Sequence, residues 1–492
     1  MKTPNMFRRL IPLTALLCGC AASPVTPVAV TPVAVAPVTV APVTMTPPPA
    51  PLAAAILDDL SERTFRFFWD TANPANGLIP DRYPTPSFSS IAAVGFGLSA
   101  YAIGVERGYI TREAARARVL TTLRFFHDAP QGNAAQGMSG YKGFFYHFLD
   151  MQTGARSADS ELSTVDTALL LGGVLHMQSY FDGADAGETE IRRLADTIYR
   201  RVDWRWAQNK GAAITHGWSP EQGMLPYDWR GYNEAMLVYV LALGSPTHAV
   251  GVDAWAEWTQ TYDQSWGTYY GQQYLSFAPH FGHQYSAVWI DFRGIRDSYM
   301  RARGLDYFEN SRRATYAQQA YAVANPMACK GYGQNLWGVT ASDGPADVVI
   351  EDGARKRKFH SYAGRGMGSE ATYDDCTIAP TGAAASIAFA PEIATAAIID
   401  MRQRYGEHIY GKYGFLDAFN PTFDFDARLA NGRRIAGFGW VDTDYIGIDQ
   451  GPILAMLENH RGDMVWRVMR KNAYLRAGLR KAGFTGGWLG GQ

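Results

Sequence analysis

Trp229-Arg230-Gly231-Tyr232-Asn233-Glu234-Ala235-Met236-Leu237-Val238-Tyr239-Val240-Leu241-Ala242-Leu243 changes character at Met236. From Met236 to Leu243 every side of a helical wheel is apolar, so the segment predicts a helix buried all round rather than one lying on a surface. The residues ahead of it are aromatics, a guanidinium, an amide and the single carboxylate Glu234. A helix that is wholly interior, entered through a polar aromatic loop, points to a large helical domain whose chemistry sits where loops meet helix starts.

The rest of the chain supports that picture. Hydrophobic spacing near 3.6 recurs over Leu57 to Trp69, Ile91 to Glu106, Thr111 to Phe126, Thr164 to Phe181, Ile191 to Trp206, Tyr232 to Leu243, Gln284 to Met300, Ser311 to Val323, Ala383 to Tyr405 and Met464 to Leu479. Sustained period-two alternation is scarce, and long loops rich in Gly, Trp, Tyr and Asp, such as Gly211 to Gly231 and Tyr262 to Phe281, separate the helices. The expectation is an all-α fold, an (α/α) toroid with one crowded face, occupying residues 52–492 as a single domain.

The first residues belong to something else. Lys2, Arg8 and Arg9 precede the apolar stretch Leu10 to Leu17, far short of the roughly 20 residues that span a bilayer. This reads as an export signal over residues 1–19. Its end, Leu17-Cys18-Gly19-Cys20, resembles a bacterial lipoprotein box and predicts cleavage before Cys20 and acylation of that residue. Pro27, Pro32, Pro37, Pro42 and Pro47 then recur among Val, Ala and Thr, which cannot build a core. Residues 20–51 are expected to form a semi-rigid tether of up to about 95 Å, at roughly 3.1 Å per residue. The expected location is the cell envelope, on the periplasmic side of the outer membrane, with the N-terminal lipid as the sole membrane contact.

Charge narrows the partners. Lys and Arg number 45 against 46 Asp and Glu, and only 18% of residues are charged, so no basic field is present to attract nucleic acid. A neutral polymer suits the chain better, and 13 Trp and 27 Tyr supply amphipathic ring surface for one. A monomer is expected. Cys329 and Cys376 remain once the signal is removed, and their spacing leaves a disulfide and two buried thiols equally open. His280-Phe-Gly-His283 lacks a third ligand nearby, so structural or ligand-contacting histidines are expected there rather than a metal. Gly364-Arg-Gly366-Met-Gly368 matches a phosphate loop only superficially and reads as a flexible lid. No Gly-x-Ser-x-Gly elbow occurs.

Glu234, a carboxylate among aromatics, has the composition of a site that breaks glycosidic bonds, which needs one carboxylic acid and a second carboxylate. The competing explanation is a first-turn Glu that complements the helix dipole. For the second carboxylate, Ala158-Asp159-Ser160-Glu161-Leu162-Ser163-Thr164-Val165-Asp166 offers three. Ser163 and Asp166 match a capping box, which explains Asp166 structurally. Glu161, and after it Asp159, lie outside the helix and are the chemical candidates.

Seven motifs in order then give a resemblance: Glu161-Leu-Ser-Thr-Val-Asp166-Thr-Ala-Leu169, Gly231-Tyr232-Asn233-Glu234-Ala235-Met236, His283-Gln284-Tyr285-Ser286, Trp289-Ile290-Asp291-Phe292-Arg293-Gly294-Ile295, Trp337-Gly338-Val339-Thr340-Ala341-Ser342-Asp343-Gly344-Pro345, Ala379-Pro380-Thr381 and Gly447-Ile448-Asp449-Gln450-Gly451-Pro452-Ile453. From about residue 55 onward the chain resembles the glucoamylase-like domain family, which includes bacterial endo-β-1,2-glucanases and the transglycosylating domain of cyclic β-1,2-glucan synthases. The resemblance implies an (α/α)6 barrel acting on β-1,2-linked glucose polymers without metal or organic cofactor; a single barrel on a lipidated tether points to hydrolysis rather than transglycosylation, and the hydrolysing relatives imply endo action with inversion. It implies Glu234 as general acid with Glu161 opposite. Trp229, Arg230, Tyr232, Gln284, Asp291, Arg293, Trp337 and Asp343 would line the cleft, although Asp291 and Arg293 equally suit a buried ion pair. Asp375-Cys376-Thr377 departs from the Asp-Gly-Thr usual in relatives. Two other readings stay open: a hydrolase or transglycosylase acting on another glucan, and a non-catalytic glycan-binding lipoprotein.

Overall fold

The computed structural model describes residues 50–353, 355–369 and 372–490. The signal segment, Cys20 and nearly all of the tether lie outside these residues. Pro47–Gln492 form one compact unit. Its first helix, Ala50–Thr71, begins two residues inside the stretch assigned to the tether, with Pro51 at the helix start, where a missing N–H costs nothing.

Two kinds of helix alternate along the chain. One kind is buried over nearly its whole length: Ile91–Glu106, Thr164–Tyr180, Met236–Gly244, Tyr285–Trp289, Pro380–Ala384 and Gly447–Gly462. The other kind buries one stripe: Arg112–Asp128, Ala186–Arg200, Asp253–Thr259, Tyr307–Ala324 and Pro391–Arg404, with Ala50–Thr71 leading. The buried helices meet in chain order. The Ile91 helix packs on the Thr164 helix, which meets the Met236 helix, and the Gly447 helix packs on the Tyr285, Pro380 and Ile91 helices. Ser286 Oγ accepts the Leu237 N–H at 3.0 Å, joining the Met236 and Tyr285 helices. Gln284 Nε2 donates to Gly382 O at 3.0 Å, joining the next pair. The result is a helical barrel-type fold.

Close approach at one wall depends on glycine. A Cβ on Gly95 would lie 2.2 Å from Leu169 O, and one on Gly173 would lie 2.0 Å from Gly95 O. The Ile91 and Thr164 helices therefore touch backbone to backbone.

The expectation of an all-α chain is corrected by short strands. None among the described residues exceeds five residues, too short for period-two alternation to register in sequence. Five form one sheet in the order Gly140–Tyr141, Phe144–Tyr146, Leu162–Ser163, Gly217–Ser219 and Gly223–Met224. Several strands lead straight into a buried helix. Ser89–Ser90 precedes Ile91, Leu162–Ser163 precedes Thr164, and Tyr445–Ile446 precedes Gly447. Each such strand fixes a helix start, and Ser90 and Ser163 cap their helices by accepting from Ala93 N and Asp166 N.

Three predicted helices are broken. Gln284 to Met300 divides into Tyr285–Trp289 and Ser298–Ala302 around Gly294, whose φ is 74°. Ala383 to Tyr405 breaks before Pro391, and Met464 to Leu479 breaks at Asn472, which caps Ala473–Lys481. The Gly364-to-Gly368 lid is also corrected. Arg365 is fully buried and bonds Asp375 Oδ1 at 2.6 Å and Oδ2 at 2.9 Å, which fixes the loop. Cys329 and Cys376 form a disulfide with 5.2 Å between Cα atoms, beside that ion pair.

Candidate active site

The strand Phe144–Tyr146 pairs with Leu162–Ser163 in the register Phe145↔Ser163 and Tyr146↔Leu162. The next residues outward, His147 and Glu161, must therefore face each other. His147 N donates to Glu161 O at 2.9 Å, and the imidazole Nδ1 lies 2.9 Å from Glu161 Oε1. The other ring nitrogen is 3.5 Å from Asp166 Oδ2. Burial alone would lower the His147 pKa, but Asp166, Glu161 and Asp81 outweigh it and hold the imidazole up to about 9. Burial would in turn raise Glu161, yet the imidazolium holds its carboxyl below the usual range. Glu161 is thus kept ionised. Asp166 carries the predicted capping contact with Ser163, and its second face completes the His147 cage.

A second group surrounds Arg82. Strand Arg82–Tyr83 pairs with Tyr445–Ile446, at the entry to the Gly447 helix. Arg82 Nη1 bonds Asp343 Oδ2 at 2.7 Å and lies 3.7 Å from Asp444 Oδ2. Asp343 N donates to Asp417 Oδ2 at 2.9 Å. Asp417, Asp442 and Asp449 are buried, and that burial together with mutual repulsion pushes Asp417 and Asp442 far above the carboxylate range and Asp449 well above it. Buried acids crowded beside Asp343 are thus driven toward their protonated forms.

Glu234 is half-buried in the turn before the Met236 helix. That helix has Ala235 at its N-cap, so Glu234 stands ahead of the first turn rather than in it. Asn233 Oδ1 accepts from Ala235 N at 3.0 Å, and Ser286 Oγ donates to Glu234 O at 2.9 Å, which together set the carboxylate's position. The buried Tyr285 links it to the second group. Its phenol is pushed up by burial and then by Asp449, Tyr362, Glu234 and Asp417, which places Glu234 and those aspartates within electrostatic reach of one ring.

The other expected residues separate. Asp343 belongs to the Arg82 group. Asp159 is exposed in the turn ahead of Glu161. Trp229 is buried, stacks on His216 at 3.7 Å between centroids and donates through Nε1 to Thr164 Oγ1, so it packs the wall beneath the site. Arg230 pairs with Glu257 on the outer Asp253 helix. Tyr232 is buried against Tyr307, with its hydroxyl 3.2 Å from His283 Nδ1. Gln284 joins helices, as described, and Trp337 is fully buried. Asp291 and Arg293 take the ion-pair alternative. Arg293 Nε bonds Asp291 Oδ1 at 2.8 Å, Arg470 and Asp463 complete the network, and all lie beyond the C-terminal end of the Tyr285 helix, away from Glu234.

Sequence reasoning missed His147, Asp81, Arg82, Asp417, Asp442 and Tyr362. Only register or tertiary folding brings them in, and Arg82 lies 261 residues from its partner Asp343. Asp449 was quoted within a motif without a role. Among the described residues two sets have the spacing of a cation site, His147–Glu161–Asp166 and Asp343–Asp417–Asp442, each with ligand atoms within 4.8 Å of one another. His147 in the first and Arg82 beside the second already supply positive charge. His280 and His283 are buried against Thr315, Ser386 and Tyr232, among protein atoms.

The fold and this rim define a class: a helical barrel whose helix starts collect carboxylates, an imidazolium and tyrosines. The family model named Glycoamylase and described as "Putative glucoamylase" matches residues 226–473, and the chain belongs to that family. It is 29% identical over 87% of its length to an exo β-1,2-glucooligosaccharide sophorohydrolase (non-reducing end) of Parabacteroides distasonis, and spans 57% of that relative. A β-1,2-glucanase structure from Parabacteroides distasonis superposes with TM-score 0.75 and 27% identity, over 88% of this chain and 60% of that one. An endo-β-1,2-glucanase structure from Chitinophaga pinensis, in complex with sophorotriose and glucose, does so with TM-score 0.75 and 27% identity, over 89% of this chain and 99% of that one.

Proposed function

We propose that the protein hydrolyses β-1,2-linked glucan, cutting internally and with inversion, with Glu234 as general acid and Glu161 as the ionised carboxylate opposite. The observation that carries this reading is the contrast in environment between the acids of one rim. Glu161 is held charged by His147, while Asp417 and Asp449, which act with Glu234 on the Tyr285 ring, are pushed above the carboxylate range by burial and by neighbouring acids. Divergent carboxyl environments of this kind divide acid and base duties in glycoside cleavage. The relatives named above are described as β-1,2-glucanases and a sophorohydrolase, and the alternation of buried and half-buried helices reads as an (α/α)6 barrel. Incubation with linear β-1,2-glucan should release a ladder of oligosaccharides whose new reducing ends are first seen as the α anomer. Release of the disaccharide alone from one chain end would replace the endo reading with an exo one. Absence of products, with turnover on another glucan, would end the β-1,2 assignment.

A second reading of the partner carboxylate has its own support, because Tyr285 lies within reach of both Glu234 and Asp449. Here Asp449, with Asp417 sharing its proton, takes the place of Glu161. Comparing Glu161→Gln with Asp449→Asn separates the two: the variant that loses about 10² or more in kcat marks the partner.

Cys20 is proposed to carry the lipid that holds the unit, through the proline-rich tether, at the periplasmic face of the outer membrane. No helix among the described residues is long and apolar enough to cross a membrane. Cys20→Ala should move the protein from the membrane fraction to the soluble fraction or block its processing.

A further inference from the structure

Tyr362 begins the strand Tyr362–Gly364, which pairs antiparallel with Ala341–Asp343 in the register Asp343↔Tyr362. Directly opposed residues of an antiparallel pair project from the same face. On that face the two differ sharply: Asp343 is 3% exposed and bound to Arg82, whereas Tyr362 is 53% exposed. An open aromatic ring is ordinary on a surface, but this one is set by strand register opposite a member of the acid group. Burial of its phenol, with Asp449, Asp343, Asp417 and Asp81 acting on it, pushes the pKa further above its usual value and keeps the hydroxyl a donor. The ring is therefore polar at its deep end and open elsewhere.

Its mounting is rigid. Three residues along, the buried Arg365 donates through Nη1 to Ser342 O at 2.8 Å and Asp343 O at 3.3 Å, and its fork holds Asp375. Asp375 adjoins the Cys329–Cys376 disulfide. The strand that carries the ring is thus fixed before any ligand arrives, so little backbone freedom is lost on binding.

We propose that Tyr362 is a sugar-binding residue, an aromatic platform for one glucosyl ring whose hydroxyls then meet the carboxyl groups of Asp343, Asp417 and Asp449. Sugar C–H faces are weakly positive and apolar and match the negative face of a phenol ring, while sugar hydroxyls both donate and accept and so suit ionised and protonated carboxyl groups alike. The proposal rests on the β-1,2-glucan reading and names the residue that would grip the substrate beside its acids.

The test is calorimetric titration of Glu234→Gln protein, which should bind without cleaving, with linear β-1,2-glucooligosaccharides. Adding Tyr362→Ala should weaken binding about tenfold, since an aromatic stacking contact is of that order. Tyr362→Phe should retain most of the affinity, and Tyr362→Leu, which keeps an apolar side chain on the strand, should lose as much as Ala with an unchanged melting temperature. Tyr270→Ala, which removes a 42% exposed ring packed edge-on against Tyr321, should bind like the parent. Unchanged affinity in both the Ala and Leu variants, with a parent that binds, overturns the platform alone. A parent that binds no β-1,2-glucooligosaccharide overturns the substrate reading, and the platform with it.

Discussion

At the scale of single residues, the general-acid role proposed for Glu234 and the charge on His147 make opposite demands on a proton. A general acid must deliver one, and Gln keeps the volume of Glu without it, so Glu234→Gln should lower kcat on β-1,2-glucan by about 10² to 10⁴ with little change in melting temperature. Were Glu234 only a complement to the Met236 helix dipole, the same variant would keep its turnover and lose at most roughly 1 kcal/mol of stability. His147 must instead keep its proton. Its folded pKa of about 9 stands above its ordinary value of 6.5, so its contribution to stability is complete below about pH 6.5 and disappears as pH rises through about 9. The melting temperature of wild type should exceed that of His147→Gln most at about pH 6, and the gap should close by about pH 10. A gap independent of pH would mean that His147 acts by packing on Phe148, whose ring lies 3.8 Å away.

At the scale of elements, the site depends on where helices start, and starts are set by short strands and by how closely the buried helices approach. Gly95→Ala places a methyl group 2.2 Å from Leu169 O. Backbone cannot move aside as a flexible side chain can, so the Ile91 and Thr164 helices must separate. The variant should lose about 2 kcal/mol or more, seen as an earlier denaturant midpoint. Activity should also fall, because Ser90 and Ser163, which begin those helices, stand on strands adjoining His147 and Glu161. Full stability in Gly95→Ala would show that the wall is loose. Helix propensity favours Ala over Gly, so only the tertiary contact predicts a loss.

At the scale of the whole molecule, the compact unit begins at Pro47 and its first helix at Ala50. A chain starting at Pro47 lacks only sequence without apolar periodicity, and should melt at the same temperature and turn over soluble glucan at the same rate as the full chain. A marked loss in either would move the domain boundary toward the N-terminus. The helical class of this unit was legible because its outer helices are amphipathic, as over Ala186–Arg200, and its inner ones are apolar all round, as over Met236–Gly244. Glu234 was legible as a carboxylate among aromatics at a helix start, and Glu161 as one lying outside the helix that Ser163 and Asp166 cap. The Gly447–Gly462 helix escaped notice because Gly451 and Pro452 interrupt its pattern, and burial in the barrel lets it form regardless. The strands escaped because two to five residues are too few to establish a period. What the sequence determined by itself was whatever depends on neighbours along the chain: periodicity, caps and local composition. Tertiary structure alone decided the electrostatics of the site. His147 meets Glu161 through strand register, and Arg82 meets Asp343 across 261 residues, and a charge in a low-dielectric interior responds to what is near in space rather than in sequence.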